Sequence, residues 1–172
     1  MFSDPIQNLK ALGVHEGDIV ADLGAGTGFY TLALAPLVPQ GKVYAVELHE
    51  DYIKTIQNKV REHHYKNVDC LLGDIERLGG TKLGDETIDK AVVSNVLHQL
   101  EDMDKFMAEL KRILKPGGKV LVVDWSEEGT VFKAKHIVHK KEARKIFENA
   151  QFVFEKDIDA GAHHYGMILI KK

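Results

Sequence analysis

Three glycines at alternate positions, Gly24, Gly26 and Gly28, follow the apolar run Ile19-Val20-Ala21-Asp22-Leu23 and precede a second apolar segment that opens at Phe29. Glycine adopts positive φ at little steric cost and lets main chain approach a ligand closely. A helix starting just past such a turn also offers free N–H groups. A plain strand-to-helix turn would not need three glycines after an acid. The spacing is Gly-x-Gly-x-Gly, not the Gly-x-Gly-x-x-Gly of dinucleotide binders, which argues against a nicotinamide-dependent oxidoreductase. Proton transfer has its own candidates in His98 and the pair His163-His164, because imidazole titrates near neutral pH. The histidines do not read as a metal centre. His63-His64 and His163-His164 are adjacent rather than four apart, His136 and His139 are three apart, and Cys70 is the only thiol.

These residues need elements to hold them. Asp4-Pro5 is a helix start, leading Ile6–Leu12 to a stop at Gly13. Strands are expected over Asp18–Leu23, Lys42–Leu48, Asn67–Leu72, Ile88–Ser94 and Lys119–Trp125. Helices are expected over Phe29–Leu37, Asp51–His63 and Met103–Leu114, the last stopped by Pro116-Gly117-Gly118. A helix over Lys140–Ala150 and strands at Phe152–Asp157 and His164–Ile170 complete the chain. The alternation is that of an α/β sheet with crossover helices. The short segment Ile158–Ala162 makes the last two strands an antiparallel hairpin, since a parallel crossover needs a dozen or more residues.

Asp22-Leu23-Gly24-Ala25-Gly26-Thr27-Gly28 resembles the first motif of class I S-adenosylmethionine-dependent methyltransferases. Further stretches follow in that family's order: Glu47 closing the second strand, Gly73-Asp74-Ile75 ending the third, Ser94-Asn95-Val96-Leu97-His98 after the fourth, and Leu114-Lys115-Pro116-Gly117-Gly118 before the fifth. Within the family the chain looks like the small quinone-biosynthesis-methyltransferase-like, type 11-like group. The resemblance implies a Rossmann-like, doubly wound, three-layer α/β/α domain over residues 1–172. Its seven-stranded sheet would be mostly parallel, with the last strand antiparallel. The implied cofactor is S-adenosylmethionine, leaving as S-adenosylhomocysteine. Glu47 would then accept from both ribose hydroxyls, in charge-assisted hydrogen bonds. Asp74 would accept from the adenine amino group, with Leu48 and Ile75 as apolar walls. Gly24 and Gly26 are the positions of closest approach, Ala25 and Gly28 complete the turn, and Asp22 acts near the methionine moiety through main chain or water. Asn95, after the fourth strand, joins this cofactor-binding set.

Methyl transfer from a sulfonium is a direct displacement, so the protein must mainly align the acceptor and, where needed, remove a proton. The carboxyl ends of the fourth and fifth strands carry Asn95, His98, Asp124 and Trp125, and the final hairpin turns at the same edge. His98 is the first candidate for general base or acceptor-orienting group, and His164 is the second. Tyr30, Trp125 and His163 are expected to bind the acceptor. His163 and His164 point to opposite faces of a strand, so at most one addresses the acceptor directly.

The chain has 172 residues, 23 Lys+Arg against 26 Asp+Glu, and 44% hydrophobic residues. This is one globular domain's worth of sequence and excludes a disordered chain. A net charge of −3 argues against a broad nucleic-acid surface. The single cysteine suits a reducing, cytoplasmic setting. With no basic leader and no apolar run near 18 residues, neither secretion nor a membrane is expected. No Asn/Asp-Pro-Pro-Tyr/Phe run follows the fourth strand, and Cys70 lies in the third strand, away from the expected chemistry. These absences disfavour nucleic-acid amino and C5 methylation, and one thiol disfavours arsenite methylation. A small-molecule acceptor remains the leading reading. RNA or protein methylation and cofactor binding without catalysis are the alternatives. Six Lys/Arg between Lys133 and Lys145 form a basic flank, read first as solvated and second as a docking site for an acidic partner. The family's usual longer N-terminal helices and lid are here reduced to Ile6–Leu12 and the segment Ser126–His139. The acceptor site is therefore expected to be more open, or completed by another subunit of a homo-oligomer.

Overall fold

The computed structural model of the protein describes residues 4–126 and 137–172. The first helix, α1 (Pro5–Leu12), starts as its sequence demands. Asp4 Oδ1 accepts from Ile6 N–H at 2.9 Å, Pro5 occupies the first helical position, and Gly13 closes the helix with φ +74°. Strand β1 (Ile19–Leu23) leads through the glycine turn into α2 (Phe29–Leu34), which tightens at Pro36 into a single 3-10 turn over Ala35–Leu37. Next come β2 (Lys42–Glu47), α3 (Glu50–Glu62), β3 (Val68–Leu72) and β4 (Ile88–Ser94). After a 3-10 turn at Leu97–Gln99 follow α4 (Met103–Ile113), β5 (Leu114–Trp125), α5 (Lys140–Asn149), β6 (Phe152–Ile158) and β7 (His164–Lys171).

The seven strands form one sheet in the order β3-β2-β1-β4-β5-β7-β6. Neighbours from β3 through β5 pair in parallel, and β7 runs antiparallel to both β5 and β6. Side chains alternate between the faces, as the strand period requires. Val20, Val43, Val92, Leu121 and Ile168 pack with Leu9, Leu12 and Leu34 of α1 and α2, while Ala45 meets Ile56 and Val60 of α3. Ala21, Leu23, Val93, Val122 and Met167 point the other way, onto Phe106, Leu110 and Phe147 of α4 and α5. Three layers result, as expected from the sequence.

One boundary differs. The fifth strand begins at Leu114, not at Lys119, and includes the Pro116-Gly117-Gly118 run expected to lie outside it. Between the pairs Ile88–Leu114 and Lys90–Lys119, β4 advances two residues and β5 five. The surplus bulges out at Gly117, whose φ is +75°, so a helix-stop signature became a strand irregularity.

The loop between β3 and β4 is held by a buried carboxylate on α4. Glu109 accepts from Gly79 N–H at 2.7 Å and from the main chain and hydroxyl of Thr81, and it is ion-paired to Arg112. Burial alone would raise its pKa, but the Arg112 guanidinium, the Thr81 hydroxyl and the two N–H groups outweigh it and hold the carboxyl at about 2. Glu109→Ala should cost about 3 kcal/mol, because Arg112 loses its buried carboxylate partner and the N–H groups of Gly79 and Thr81 lose their acceptor; urea unfolding midpoints measure this. The depressed value makes the contribution fully present above the ordinary carboxylate value of 4.5 and progressively lost as pH falls towards 2. The Glu109→Gln protein should lack that component of acid destabilisation.

Candidate active site

Beyond the carboxyl ends of the parallel strands lies a cavity of about 1050 Å³. It sits where the strand order reverses between β1 and β4, the place at which open α/β sheets bind ligands. Its volume is at the top of the roughly 300–1,000 Å³ usual for small-ligand pockets, room for more than one small molecule.

The glycine turn forms one side. Gly24, Gly26 and Gly28 have φ of +72°, +53° and +87°. The N–H groups of Gly24 and Ala25 both donate to Val46 O, fixing the turn against β2. A Cβ on Gly24 would stand 2.6 Å from Val96 Cγ2, whereas one on Gly26 would meet nothing. Gly24 is thus required by packing and Gly26 leaves its backbone open to the cavity. Gly28 is not on the cavity wall; a Cβ there would press on Ile56 at 3.1 Å, so this glycine lets α2 approach α3.

Carboxylates ring the turn. Glu47, buried, accepts from Gly26 N–H at 2.9 Å through Oε2 and from Leu48 and His49 N–H through Oε1. Asp74 accepts from Glu76 N–H at 2.9 Å. Ile75 and Leu48 lie on the wall, and Leu48 is 59% exposed, an apolar surface presented to the opening. Asp22 is buried, with Oδ2 accepting from the Thr31 hydroxyl at 2.6 Å. Burial pushes its pKa up to about 6; the hydroxyl and N–H of Thr31 act against the rise and the Glu47 charge adds to it. Including Glu76, Glu101 and Asp102, six acids line the cavity against one lysine, Lys105, which is itself ion-paired to Asp102. The site favours a cationic ligand.

The far side is built by β4, β5 and β7. Asn95 has φ +56°, a region asparagine tolerates better than most residues, and its N–H donates to Val123 O. Its side-chain Oδ1 is buried on the cavity wall without a partner among the described residues. Asp124, buried at the end of β5, accepts from Leu97 N–H and Trp125 N–H and is hydrogen-bonded to His98 Nδ1, all at 2.8–2.9 Å. His98 is not among the lining residues, although the adjacent Gln99 is. His164 is on the wall and stacks on Trp125, its cross-strand partner, with ring centroids 4.3 Å apart. Burial lowers the His164 pKa, Asp124 opposes this and His163 reinforces it, so the ring favours its neutral form. His163 precedes β7, and neither it nor Trp125 reaches the wall. Tyr30 does, but it is buried and its hydroxyl accepts from Asn8 Nδ2 at 2.7 Å, engaged with α1.

Sequence reasoning missed His49 and Tyr52 at the start of α3 and Glu76, all on the wall. Their only signal was position: they follow Glu47 and Asp74 by a few residues. Glu76 also accepts from the N–H groups of Glu101 and Asp102, joining the β3 side of the cavity to the start of α4. Among the described residues no group of three or more His, Cys, Asp or Glu could hold a metal ion. Of the basic flank, Lys133 and Lys135 lie outside the described residues, as does His136. Lys140 pairs with Asp157, and Arg144 pairs with Glu148 while covering the Phe154 ring.

This arrangement of fold and site is that of a methyltransferase domain. The family model of that description matches residues 14–166, and the chain belongs to the family. A demethylmenaquinone methyltransferase of Geobacillus sp. (strain WCH70) is 29% identical over 120 residues, which are 69% of this chain and 50% of that protein. The ubiquinone/menaquinone biosynthesis C-methyltransferase UbiE of Escherichia coli O1:K1 / APEC is 34% identical over 117 residues, 67% of this chain and 45% of the relative. The chain thus spans about half the length of these curated relatives. The crystal structure of a SAM dependent methyltransferase from Aquifex aeolicus superposes with a TM-score of 0.91 at 29% identity, covering 99% of this chain and 91% of the other.

The Asp22 environment makes a prediction about stability. Because the folded-state value lies above the ordinary 3.8, ionising the group opposes folding, so stability falls as pH rises from about 4 to 6. The total is about 3 kcal/mol. Asp22→Asn, which keeps an acceptor for Thr31, should remove this component and be at least as stable as the parent at neutral pH; urea midpoints across that range are the measurement.

Proposed function

We propose that the chain is an S-adenosylmethionine-dependent methyltransferase acting on a small-molecule acceptor, in one cytoplasmic domain that binds both substrates. The observation that carries this reading is the acid-lined cavity closed on one side by the glycine turn. A sulfonium bearing an ammonium group is a double cation, and the six carboxylates against one lysine suit it. The turn at Gly24-Ala25-Gly26 leaves main chain open to the methionine moiety, and the unpartnered Asn95 Oδ1 offers its ammonium an acceptor. Glu47 is assigned to the ribose hydroxyls, Asp74 to the adenine amino group, and Leu48 and Ile75 to the faces of the adenine. Asp22 acts from behind the turn, and Gly28 through the seating of α2. The relatives' names support the same cofactor class and a quinone-like acceptor.

When bound, the cofactor supplies an electrophilic methyl group on a good leaving group. The chain's task is then to hold the acceptor in line, exclude competing water and accept a proton. His164, backed by Trp125, offers a flat wall for a planar acceptor, Tyr30 lines the same cavity, and His163 is assigned to the acceptor from the turn just before His164. His98 is assigned as the base. The small-molecule reading is favoured over an RNA acceptor because Lys140 and Arg144 of the basic flank are engaged by Asp157 and Glu148.

Calorimetry with S-adenosylhomocysteine and with NADH tests the cofactor. The first should bind and the second should not. Glu47→Gln should weaken binding of the first by roughly ten- to hundredfold, the 1.5–3 kcal/mol of a hydrogen bond to a charged group. Absence of binding, or an unaltered affinity in Glu47→Gln, would overturn the assignment. Transfer of labelled methyl from S-adenosylmethionine into a cell extract should then appear in the metabolite fraction rather than in RNA or protein.

A further inference from the structure

We propose that Asp124 is a positioning residue that fixes His98 as its Nδ1–H tautomer, leaving Nε2 as the proton acceptor for a methyl acceptor whose nucleophilic atom carries hydrogen. This rests on the methyltransferase reading given above. Asp124 Oδ1 receives the N–H of Trp125 at 2.8 Å and faces His98 Nδ1 at 2.9 Å, while Oδ2 receives the N–H of Leu97 at 2.9 Å. Both oxygens of this buried carboxylate are thus held by main-chain N–H groups, and a carboxylate can only accept. The hydrogen on Nδ1 must therefore belong to the imidazole. In the neutral ring Nε2 then carries a bare lone pair. No hydrogen bond engages Nε2 among the described residues, and the side chain keeps 16% of its surface accessible. The two N–H groups also orient the carboxylate, so the ring direction is fixed from the main chain of both β5 and the turn after β4.

The cavity wall runs past this pair. Asn95 and Gln99 flank His98 in sequence and line the cavity, and His164, close enough to Asp124 to feel its charge, lines it from β7. Among the described residues His164 has no such orienting partner, and its Nε2 is buried there without a hydrogen bond. Of the two imidazoles, His98 is the one with a carboxylate partner; it does not itself line the cavity, but Asn95 and Gln99 on either side of it do.

The step balances as follows. The proton on the acceptor atom passes to Nε2, and the electron pair it leaves forms the bond to the methyl carbon. The broken carbon–sulfur pair stays on sulfur, which loses its positive charge. The resulting imidazolium is neutralised by Asp124 and returns its proton to solvent, so one proton is released per methyl transferred. This is the histidine–carboxylate logic of hydrolytic triads, in which the acid orients the ring and does not itself take the proton.

The test reads the free protein first. Nitrogen-15 imidazole spectra, with His98 assigned by its loss in His98→Gln, should show protonated Nδ1 and unprotonated Nε2. A predominant Nε2–H form in the unaltered protein would overturn the proposal without any variant having to fold. Asp124→Asn should then shift His98 towards the Nε2–H form and lower kcat roughly 10²- to 10⁴-fold, the range for a lost general base. Its affinity for S-adenosylhomocysteine should be retained. His98→Gln should fall by the same factor, and adding Asp124→Asn to it should cost little more. Loss of kcat in His164→Gln with an unaffected His98→Gln would move the base to His164 and overturn the proposal. Failure of the unaltered protein to bind S-adenosylhomocysteine would overturn the methyltransferase reading and this inference together, a result distinct from bound cofactor with the wrong tautomer.

Discussion

Where a parallel strand stops, the N–H groups of the following loop lose their ladder partners and need other acceptors. In this protein carboxylates take them at strand after strand. Glu47 at the end of β2 holds Leu48, His49 and the glycine turn; Asp74 beyond β3 holds Glu76; Asp124 at the end of β5 holds Trp125 and Leu97. Each of these acids satisfies local backbone, and together they charge one end of the sheet. The acidity of the cavity is thus bound up with how the loops are built, so the architecture and the ligand preference have a common origin.

Much of this could be read from the sequence because it is local or ordered. The cap at Asp4-Pro5, the positive-φ glycines after β1 and the acids closing successive strands are consequences of residue type at a strand or helix boundary. The alternating apolar runs set the layers, and the five-residue connection before the last strand dictated its reversal. What stayed hidden depends on contacts between distant segments. Nothing near His98 announces that Asp124, 26 residues on, will share a hydrogen bond with its ring. Nothing in the sequence places Trp125 on His164 until β5 and β7 are paired in register. Tyr30 read as a cleft residue, yet its hydroxyl is engaged by Asn8. Gly28 read as part of the ligand turn, and its environment is instead the Ile56 side chain. The Pro116-Gly117-Gly118 run has the composition of a stop and became a bulge, because the pairing of β4 with Leu114 captured the segment upstream of it.

The two sides of the cavity differ in kind. Around β1, β2 and β3 the wall is made of main chain and carboxylates held by short local bonds, a surface suited to one invariant ligand. Around β4, β5 and β7 it includes the His164 imidazole and the Asn95 amide, each with a buried polar atom lacking a partner among the described residues. Such atoms are costly when left unpaired.

The loop carrying Asp74 draws its precision from outside the cavity. Gly80 O accepts from Asp74 N–H, and the flanking Gly79 and Thr81 are gripped by Glu109, on a helix packed against the opposite face of the sheet from α2 and α3. The Asp74 side of the pocket is therefore tethered to a helix with its own burial requirements. Drift in the packing of α4, at positions remote from the cavity, would be transmitted as drift in the placement of Asp74 on the cavity wall, and relatives that alter this helix would be expected to compensate at the loop.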